Sequence, residues 1–220
     1  MTRIATTASR VMLGLLIAAT GSWGALALAI AGPPEDAVRL LLAGAFAAAA
    51  LVALLALLLR RGQRAAQIAY LVLFAALMVW WQSLTPSNER NWQASVARLP
   101  LASVDGNSVT VHNIRHFSYH SETDYMPAWH DKTYDLRQLE GVDVVASYWM
   151  GPHIAHVFVS FAFAGGDHLA MSIETRIEQG EGYSAIKGFF RKFELFYVVA
   201  DERDAIGLGT NFRRDPPEEV

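Results

Sequence analysis

The stretch HIAHVFVSFAFAGGDHLAMSIETR, residues 153–176, decides how the second half of this sequence folds. Two apolar runs flank Gly165-Gly166, and glycine readily adopts the positive φ angles that a tight hairpin turn requires. Alternation along the first run places His156, Phe158 and Ser160 on one face of the strand. The pattern predicts an antiparallel β-hairpin that carries an ionisable imidazole on one face.

The length of the hairpin loop decides whether Glu174 lies beside His156. A two-residue loop at Gly165-Gly166 pairs His156 with Thr175 and turns Glu174 to the other face. A three-residue loop or a one-residue bulge brings Glu174 to the side of His156. Both registers fit the sequence. From the residues alone, His156 is either a structural histidine with hydrogen-bond partners for its ring nitrogens or a general base.

Apolar runs on both sides of the hairpin predict more strands. Residues 102–115 alternate around a turn at Asp105-Gly106-Asn107, and residues 141–149 and 193–200 are typical of single strands. Residues 185–190 fit one short helical turn. Most of the connections are too short for helical crossovers, which favours an α+β domain built mainly on an antiparallel sheet.

The first 82 residues contain three apolar stretches that are long enough to cross a membrane. Residues 11–31, 40–59 and 65–81 hold no charged side chain. At about 1.5 Å per residue, a helix of roughly 20 residues covers the hydrocarbon core of about 30 Å. The sequence therefore predicts a membrane domain of three helices over residues 1–82 and an extracytoplasmic domain over residues 83–220.

Arginine residues predict the orientation of the three spans. Arg3 and Arg10 precede the first span and RRGQR (60–64) follows the second, whereas GPPED (32–36) has no basic residue. The positive-inside rule places the N-terminus and the RRGQR loop in the cytoplasm and the residues after Gln82 outside, in the periplasm of a Gram-negative cell. A signal peptide ending at residues 27–29 is the competing interpretation, and it also leaves the second half outside.

The charge of the second half excludes one class of partner. Residues 83–220 hold 12 of the 18 basic residues and 19 of the 21 acidic residues, a net charge of −7, together with all seven histidines. Nucleic-acid-binding proteins need clustered basic residues, so we expect no nucleic-acid partner. The chain has no cysteine, which excludes a thiolate metal site and a cysteine nucleophile within these 220 residues.

Two further patterns are candidate sites. His112, His116 and His120 recur every four residues, but successive members on a strand lie about 13 Å apart, which makes shared ligation of one metal ion awkward. Arg176 follows Glu174 by two residues and would suit an anionic group. The sequence contains no metalloprotease, phosphate-loop or serine-hydrolase motif.

Several longer motifs resemble a known family. They are SNERNWQ (87–93), VHNIRHFSY (111–119), SETDY (121–125), YDLRQLEGVDVVASYW (134–149), IAHVFVSF (154–161), SIETR (172–176), EGYSAIKGFFRKFELFYVVADERD (181–204) and TNFR (210–213). From about Ser87 to Arg213 they resemble the Lnb N-terminal periplasmic domain family.

The resemblance implies a multi-pass protein of the bacterial inner membrane whose periplasmic part has a permuted papain-like fold. In that fold His156 would be the general base and Glu174 the polar partner that orients it. We expect no cofactor and no metal. The resemblance also implies acyl transfer to lipoproteins at the outer face of the membrane. The lipid bilayer, phospholipid and bacterial lipoproteins are therefore the expected partners.

The resemblance does not extend to the nucleophile. Family members are expected to carry a cysteine in a short Asn-Asn-Cys-Thr-like motif further along, and this chain has no cysteine up to Val220. We therefore expect an incomplete fold, namely the N-terminal portion of an acyltransferase-type enzyme. The two alternatives are a catalytically silent domain that binds lipid or lipoprotein, and a metal-dependent hydrolase that uses the histidine and carboxylate clusters.

Overall fold

The computed structural model describes residues 2–121, 124–148, 152–153, 155–207 and 217–219. Trp149 and the TNFR motif (210–213) therefore lie outside the described residues. Contacts divide the chain into two units, which are described separately. One unit comprises Met1–Ser87 and Tyr183–Lys192, and the other comprises Asn88–Gly182 and Phe193–Val220.

The helical unit contains three long helices in its described residues. They are α1 (Thr2–Ala31), α2 (Asp36–Leu59) and α3 (Gln63–Ser83). Each is long and apolar enough to cross a membrane, with a mean hydropathy of 1.9, 2.6 and 1.5 over its most apolar window. Each helix is longer than its apolar stretch. The hydrocarbon core requires helical backbone hydrogen bonding, and polar residues at the membrane surface can continue the same helix.

Small residues allow close packing between these helices. A β-carbon on Gly24 would lie 2.4 Å from Cε1 of Phe46 and 2.6 Å from Cδ2 of Leu77. The hydroxyls of Thr20 and Tyr70 are 2.8 Å apart, which links α1 to α3. Close approach of this kind is what small residues permit between helices in lipid, where no hydrophobic force drives association.

The segment Tyr183–Lys192 belongs to the helical unit. Its short helix α4 (Ala185–Phe189) begins after Ser184, whose Oγ accepts a hydrogen bond from the backbone N–H of Lys187 at 3.3 Å. Phe190 is buried in a cluster with Ala27 and Trp81, near the C-terminal ends of α1 and α3. Nη1 of Arg191 donates to the carbonyl of Trp81 at 3.0 Å.

The second unit is built on a mixed, mostly antiparallel sheet. Its strands are β1 (Leu101–Asp105), β2 (Ser108–Arg115), β3 (Ser118–Tyr119), β4 (Tyr125–Met126), β5 (Trp129–Asp135), β6 (Leu139–Tyr148), β7 (Ala155–Phe163), β8 (Asp167–Arg176), β9 (Glu194–Asp201) and β10 (Pro217–Glu219). The short helix α5 (Glu202–Gly207) follows β9. The order is β1-β2-β9-β8-β7-β6-β10, β5 pairs with β2, and β3 pairs with β4. The predicted class, three apolar helices followed by an α+β domain with a mainly antiparallel sheet, is confirmed.

The loop between β7 and β8 has three residues, which is the longer of the two loop lengths that fit the sequence. Phe163 pairs with Asp167, so three residues, Ala164 to Gly166, form the loop. Gly165 and Gly166 have φ angles of 90° and 84°, which explains why glycine occupies both positions. The three-residue loop brings Glu174, rather than Thr175, to the level of His156.

A bulge in β2 changes the register of its histidines. The pairing of β2 with β5 shifts between Val111 and Ile114, and Asn113 has a φ angle of 59° at this point. Asp131 stabilises the bulge by accepting hydrogen bonds from the backbone of Asn113 at 3.0 Å and from the ring of His112 at 2.7 Å. The extra residue turns His112 away from the face that carries Ile114.

Apolar clusters cover both faces of the sheet around β9. On one face, Val199 packs with Val111, Ile114, Tyr134, Phe163 and Leu169. On the other face, Phe196, Val198 and Ala200 pack with Trp92 and Val96. The two faces alternate along β9 because successive side chains of a strand point to opposite sides.

Candidate active site

His156 and Glu174 face each other across β7 and β8. Nε2 of His156 lies 3.1 Å from Oε1 of Glu174, and the two side chains are 38% and 33% exposed. Both residues therefore contact solvent on one side and the sheet on the other. A carboxylate at this distance orients an imidazole and fixes its tautomer, which is how a general base is commonly prepared.

The carboxylate of Glu174 is stabilised in its ionised form. Burial raises the pKa of Glu174, but the hydrogen bond and charge of His156 and the hydrogen bond from Ser172 act in the opposite direction. Together with the charge of Arg115 they hold the pKa below its ordinary value. Oγ of Ser172 donates to Oε1 of Glu174 at 3.0 Å.

A small, solvent-open recess lies beside this pair. Its walls come from β2, β7, β8, β9 and α5, and its lining includes Phe158, Ala170, Val198 and Ala205 as well as His156, Ser172, Glu174 and Arg115. The lining therefore combines apolar side chains with a candidate base and a fixed positive charge.

Arg115 is the functional candidate that the sequence did not indicate. Its Nη2 and Nε donate to Oδ1 of Asp204 at 2.8 and 3.1 Å, and only 1% of the Asp204 side chain is exposed. Burial lowers the pKa of Arg115, but the charge of Asp204 and the hydrogen bond to it raise the pKa above its ordinary value. The two residues are 89 positions apart, so no local pattern could have indicated their contact.

Ser160 shares the face of His156 but is not placed as a nucleophile. Its side chain is fully buried, and its Oγ has no hydrogen-bond partner among the described residues. It lies four positions after His156 along β7, a distance of about 13 Å on a strand.

Arg176 has a structural role rather than the anion-binding role that its position near Glu174 suggested. Only 3% of it is exposed. Its guanidinium donates to the carbonyls of Val96 and Ala97 at 3.0 Å and to the side chain of Asn88 at 2.7 Å. These contacts join β8 to the segment that covers one face of the sheet.

The three histidines spaced four apart do not share a face. The bulge separates His112 from His116, and His120 lies exposed beyond β3, where its backbone N–H donates to the carbonyl of Asp124 at 2.8 Å. His116 instead lies beside His130 and Asp201, and these three residues offer ligand atoms that all lie within 4.8 Å of one another. The sequence could not indicate this set, because His116 directly follows β2, His130 lies in β5 and Asp201 ends β9. These segments are far apart in the chain.

Residues 125–216 match the Lnb N-terminal periplasmic domain family. The resemblance inferred from the sequence motifs is thereby confirmed for that part of the chain. No curated protein and no solved structure matches the chain. Together with the three apolar helices, the match supports a multi-pass membrane protein that carries a periplasmic domain.

Proposed function

We propose, starting from the match of residues 125–216 to the Lnb N-terminal periplasmic domain, that this protein takes part in acyl transfer to lipoproteins at the outer face of the bacterial inner membrane. Residues 1–82 would be the membrane domain, with a cytoplasmic N-terminus, and residues 83–220 the periplasmic domain. The pairing of His156 with Glu174 beside a partly apolar recess is the observation that carries this proposal.

His156 would act as the general base. When Nε2 carries the proton that Glu174 accepts, the basic lone pair of the imidazole resides on Nδ1. Nδ1 would take the proton from an attacking amine or thiol as that group adds to the carbonyl carbon of an acyl ester. The same proton would then pass to the departing alcohol oxygen, so the ester C–O bond breaks as the new amide or thioester bond forms.

Glu174 would hold the imidazole in place and stabilise the imidazolium that forms during proton transfer. Its lowered pKa supports this role, because the carboxylate must stay ionised while the histidine gains a proton. Arg115 lies on the same recess and favours the ionised carboxylate by its charge. Its pairing with buried Asp204 keeps the guanidinium in position.

A lipid is the expected source of the acyl group. The three helices are suited to a lipid bilayer. In the helical unit, Ile186 and Phe189 of α4 are 67% and 70% exposed. Lys187 lies between them in the sequence, and Arg191 follows Phe189 by two positions. Apolar side chains with neighbouring cations are typical of segments that contact the membrane interface. Phospholipid is therefore the donor that we propose, and a lipoprotein amine the acceptor.

The absence of cysteine leaves two forms of the proposed function. A thioester intermediate needs a cysteine, and these 220 residues contain none. Ser160 cannot take its place, because its side chain is buried away from His156. In the first, the acceptor amine attacks the donor ester directly. In the second, the unit binds lipid or lipoprotein without turnover. The second possibility is a non-catalytic lipid- or lipoprotein-binding domain.

The test uses the full chain in phospholipid proteoliposomes with a diacylated lipoprotein that has a free terminal amine. We expect the lipoprotein to gain the mass of one acyl chain, and we expect His156→Ala to abolish this gain and Glu174→Gln to reduce it at least tenfold. His168→Ala is the matched control, because His168 also lies beside a carboxylate, 3.3 Å from Glu202. We expect this control to keep full activity.

Two results would decide against acyl transfer by this chain. The first is saturable lipoprotein binding without any gain in mass, which would select the non-catalytic alternative. The second is full acyl transfer by His156→Ala, which would remove the base from the mechanism. Circular dichroism of each variant would separate a loss of chemistry from a loss of fold.

A further inference from the structure

We propose that His116, His130 and Asp201 form a binding site for a borderline divalent cation of the Zn²⁺ type. Two imidazoles and one carboxylate are a ligand set that zinc accepts, with the remaining positions taken by water or another ligand. This site is separate from His156 and Glu174. Asp201 and Ala200 are successive residues of β9, so their side chains point to opposite faces of the sheet, and Ala200 lines the recess of the candidate active site.

The alternation of the strands explains why these three residues meet. His116 follows Ile114 by two positions and Asp201 follows Val199 by two, so each extends the face that carries the buried core. His130 pairs directly with Ile114 across β2 and β5. The parallel pairing of Arg115 with Ala200 then brings Asp201 to the level of His116.

The bulge at Asn113 is necessary for this arrangement. Without the extra residue, the alternation that places Val111 in the core would turn Ile114 and His116 to the opposite face. The positive φ angle of Asn113 and its hydrogen bond to Asp131 therefore determine that His116, rather than His112, enters the cluster.

The distances fit shared ligation. Nδ1 of His116 contacts Oδ2 of Asp201, and Nε2 of His130 lies 3.2 and 3.3 Å from the two carboxylate oxygens. Two ligand atoms that bind one zinc ion at 2.0–2.2 Å in tetrahedral geometry lie roughly 3.4 Å apart. Small rotations of the side chains would therefore place all three ligand atoms around one ion.

The surroundings of the cluster combine a rigid base with access to solvent. Ile114 is fully buried and Tyr134 is 4% exposed, so the strands that carry the ligands are fixed by the core beneath them. The side chains of His116, His130 and Asp201 are 45%, 38% and 24% exposed, which leaves a route for an ion and its waters. Rigid backbone with an open outer side is suited to a site that keeps free coordination positions.

Two other histidine–carboxylate contacts provide a comparison. His112 lies 2.7 Å from Asp131, and His168 lies 3.3 Å from Glu202. Each is a single pair without a second imidazole among the described residues, and a single pair offers too few ligands for a zinc site. His112→Ala is therefore a matched control, since it removes a carboxylate-paired histidine from β2, four positions before His116.

The experiment is a calorimetric titration of the full chain, in detergent and without a polyhistidine tag, with ZnCl₂ after removal of metals by a chelator. We expect one zinc ion per chain at micromolar affinity or better. We expect His116→Ala and His130→Ala each to weaken binding at least tenfold, and His112→Ala to leave it unchanged. Circular dichroism would check that each variant folds.

X-ray absorption at the zinc edge of the loaded wild-type protein gives a test that needs no variant. We expect scattering from two imidazoles, with Zn–N distances of about 2.0–2.1 Å. A protein that binds no zinc, zinc held without imidazole, or binding that His116→Ala and His130→Ala leave unchanged would each overturn the proposal. In those cases the three residues form only a hydrogen-bonded network in which both histidines contact one carboxylate.

Discussion

Replacement of Asp204 by alanine tests the buried contact that fixes Arg115 beside the candidate site. The Asp204 carboxylate is 1% exposed and accepts hydrogen bonds from the Arg115 guanidinium and from the backbone N–H of Phe117, the latter at 2.6 Å. The alanine variant leaves both donors buried without this acceptor. It therefore removes one partner of a buried ion pair, which is far more costly than removal of the whole pair.

We expect Asp204→Ala to lower the free energy of unfolding of the sheet unit by about 3–5 kcal/mol. At 1.4 kcal/mol for each factor of ten, backbone amides of the sheet core would exchange their hydrogens roughly 10² to 10³·⁵ times faster. Hydrogen exchange read by mass spectrometry on the full chain in detergent measures this. The relevant amides are those of β2 and β9, where local opening requires the unit to unfold.

Asp167→Ala is the matched control for this prediction. Asp167 accepts from Nζ of Lys132 at 2.6 Å, but the two side chains are 49% and 37% exposed. An exposed pair of this kind contributes about 0.2–1 kcal/mol. If Asp204→Ala accelerates exchange no more than Asp167→Ala does, the carboxylate of Asp204 is not a structural anchor and the account of Arg115 is wrong.

Three further predictions concern the carboxylate, the helices and the hairpin loop. The pKa of Glu174 is lowered in the folded state, so the wild type should be more stable than Glu174→Gln at pH values above the pKa of an unfolded glutamate, about 4.3. This difference in the free energy of unfolding should shrink as the pH falls further. Urea unfolding at several pH values measures the difference. Gly24→Ala should destabilise the helices by about 1–3 kcal/mol in thermal unfolding in detergent, because the new β-carbon meets Phe46 and Leu77. Gly166→Ala should cost about 1–2 kcal/mol in the same urea assay, because φ is 84°.

Each of these predictions has its own control. Gly44→Ala should leave thermal stability unchanged or raise it, because no atom lies within 4 Å of the added β-carbon. Equal loss in the Gly24 and Gly44 variants would contradict the packing argument. A stability difference between wild type and Glu174→Gln that grows towards acidic pH would contradict the lowered pKa. Unchanged urea unfolding of Gly166→Ala would mean that the turn does not need its positive φ angle.

The sequence allowed prediction of features that depend on composition and alternation. The apolar stretches 11–31, 40–59 and 65–81 lie within α1, α2 and α3, because the thickness of a bilayer demands a minimum length that composition reveals. The hairpin at residues 153–176 and the strand at 193–200 were also predicted, since alternating apolar residues bounded by glycine or charge indicate strands.

Features that depend on single residues or on long-range contacts could not be predicted. The length of the β7–β8 loop and the bulge at Asn113 each shift the strand register by one residue. A shift of one residue moves every following side chain to the opposite face of the sheet. The strand β5 could not be predicted because its sequence, WHDKTYD, is mostly polar. The contact of Arg115 with Asp204 and the cluster of His116, His130 and Asp201 join distant segments, which periodicity does not relate.

The side of the membrane on which His156 lies is the central claim of this account. The chain has no cysteine, so single cysteine substitutions report their location without background. Glu140 in the sheet unit and Arg61 in the loop between α2 and α3 are both exposed. With a membrane-impermeant maleimide, Glu140→Cys should react in intact spheroplasts, and Arg61→Cys should react only after lysis. Reaction of Arg61→Cys in intact spheroplasts, with Glu140→Cys protected until lysis, would contradict the account.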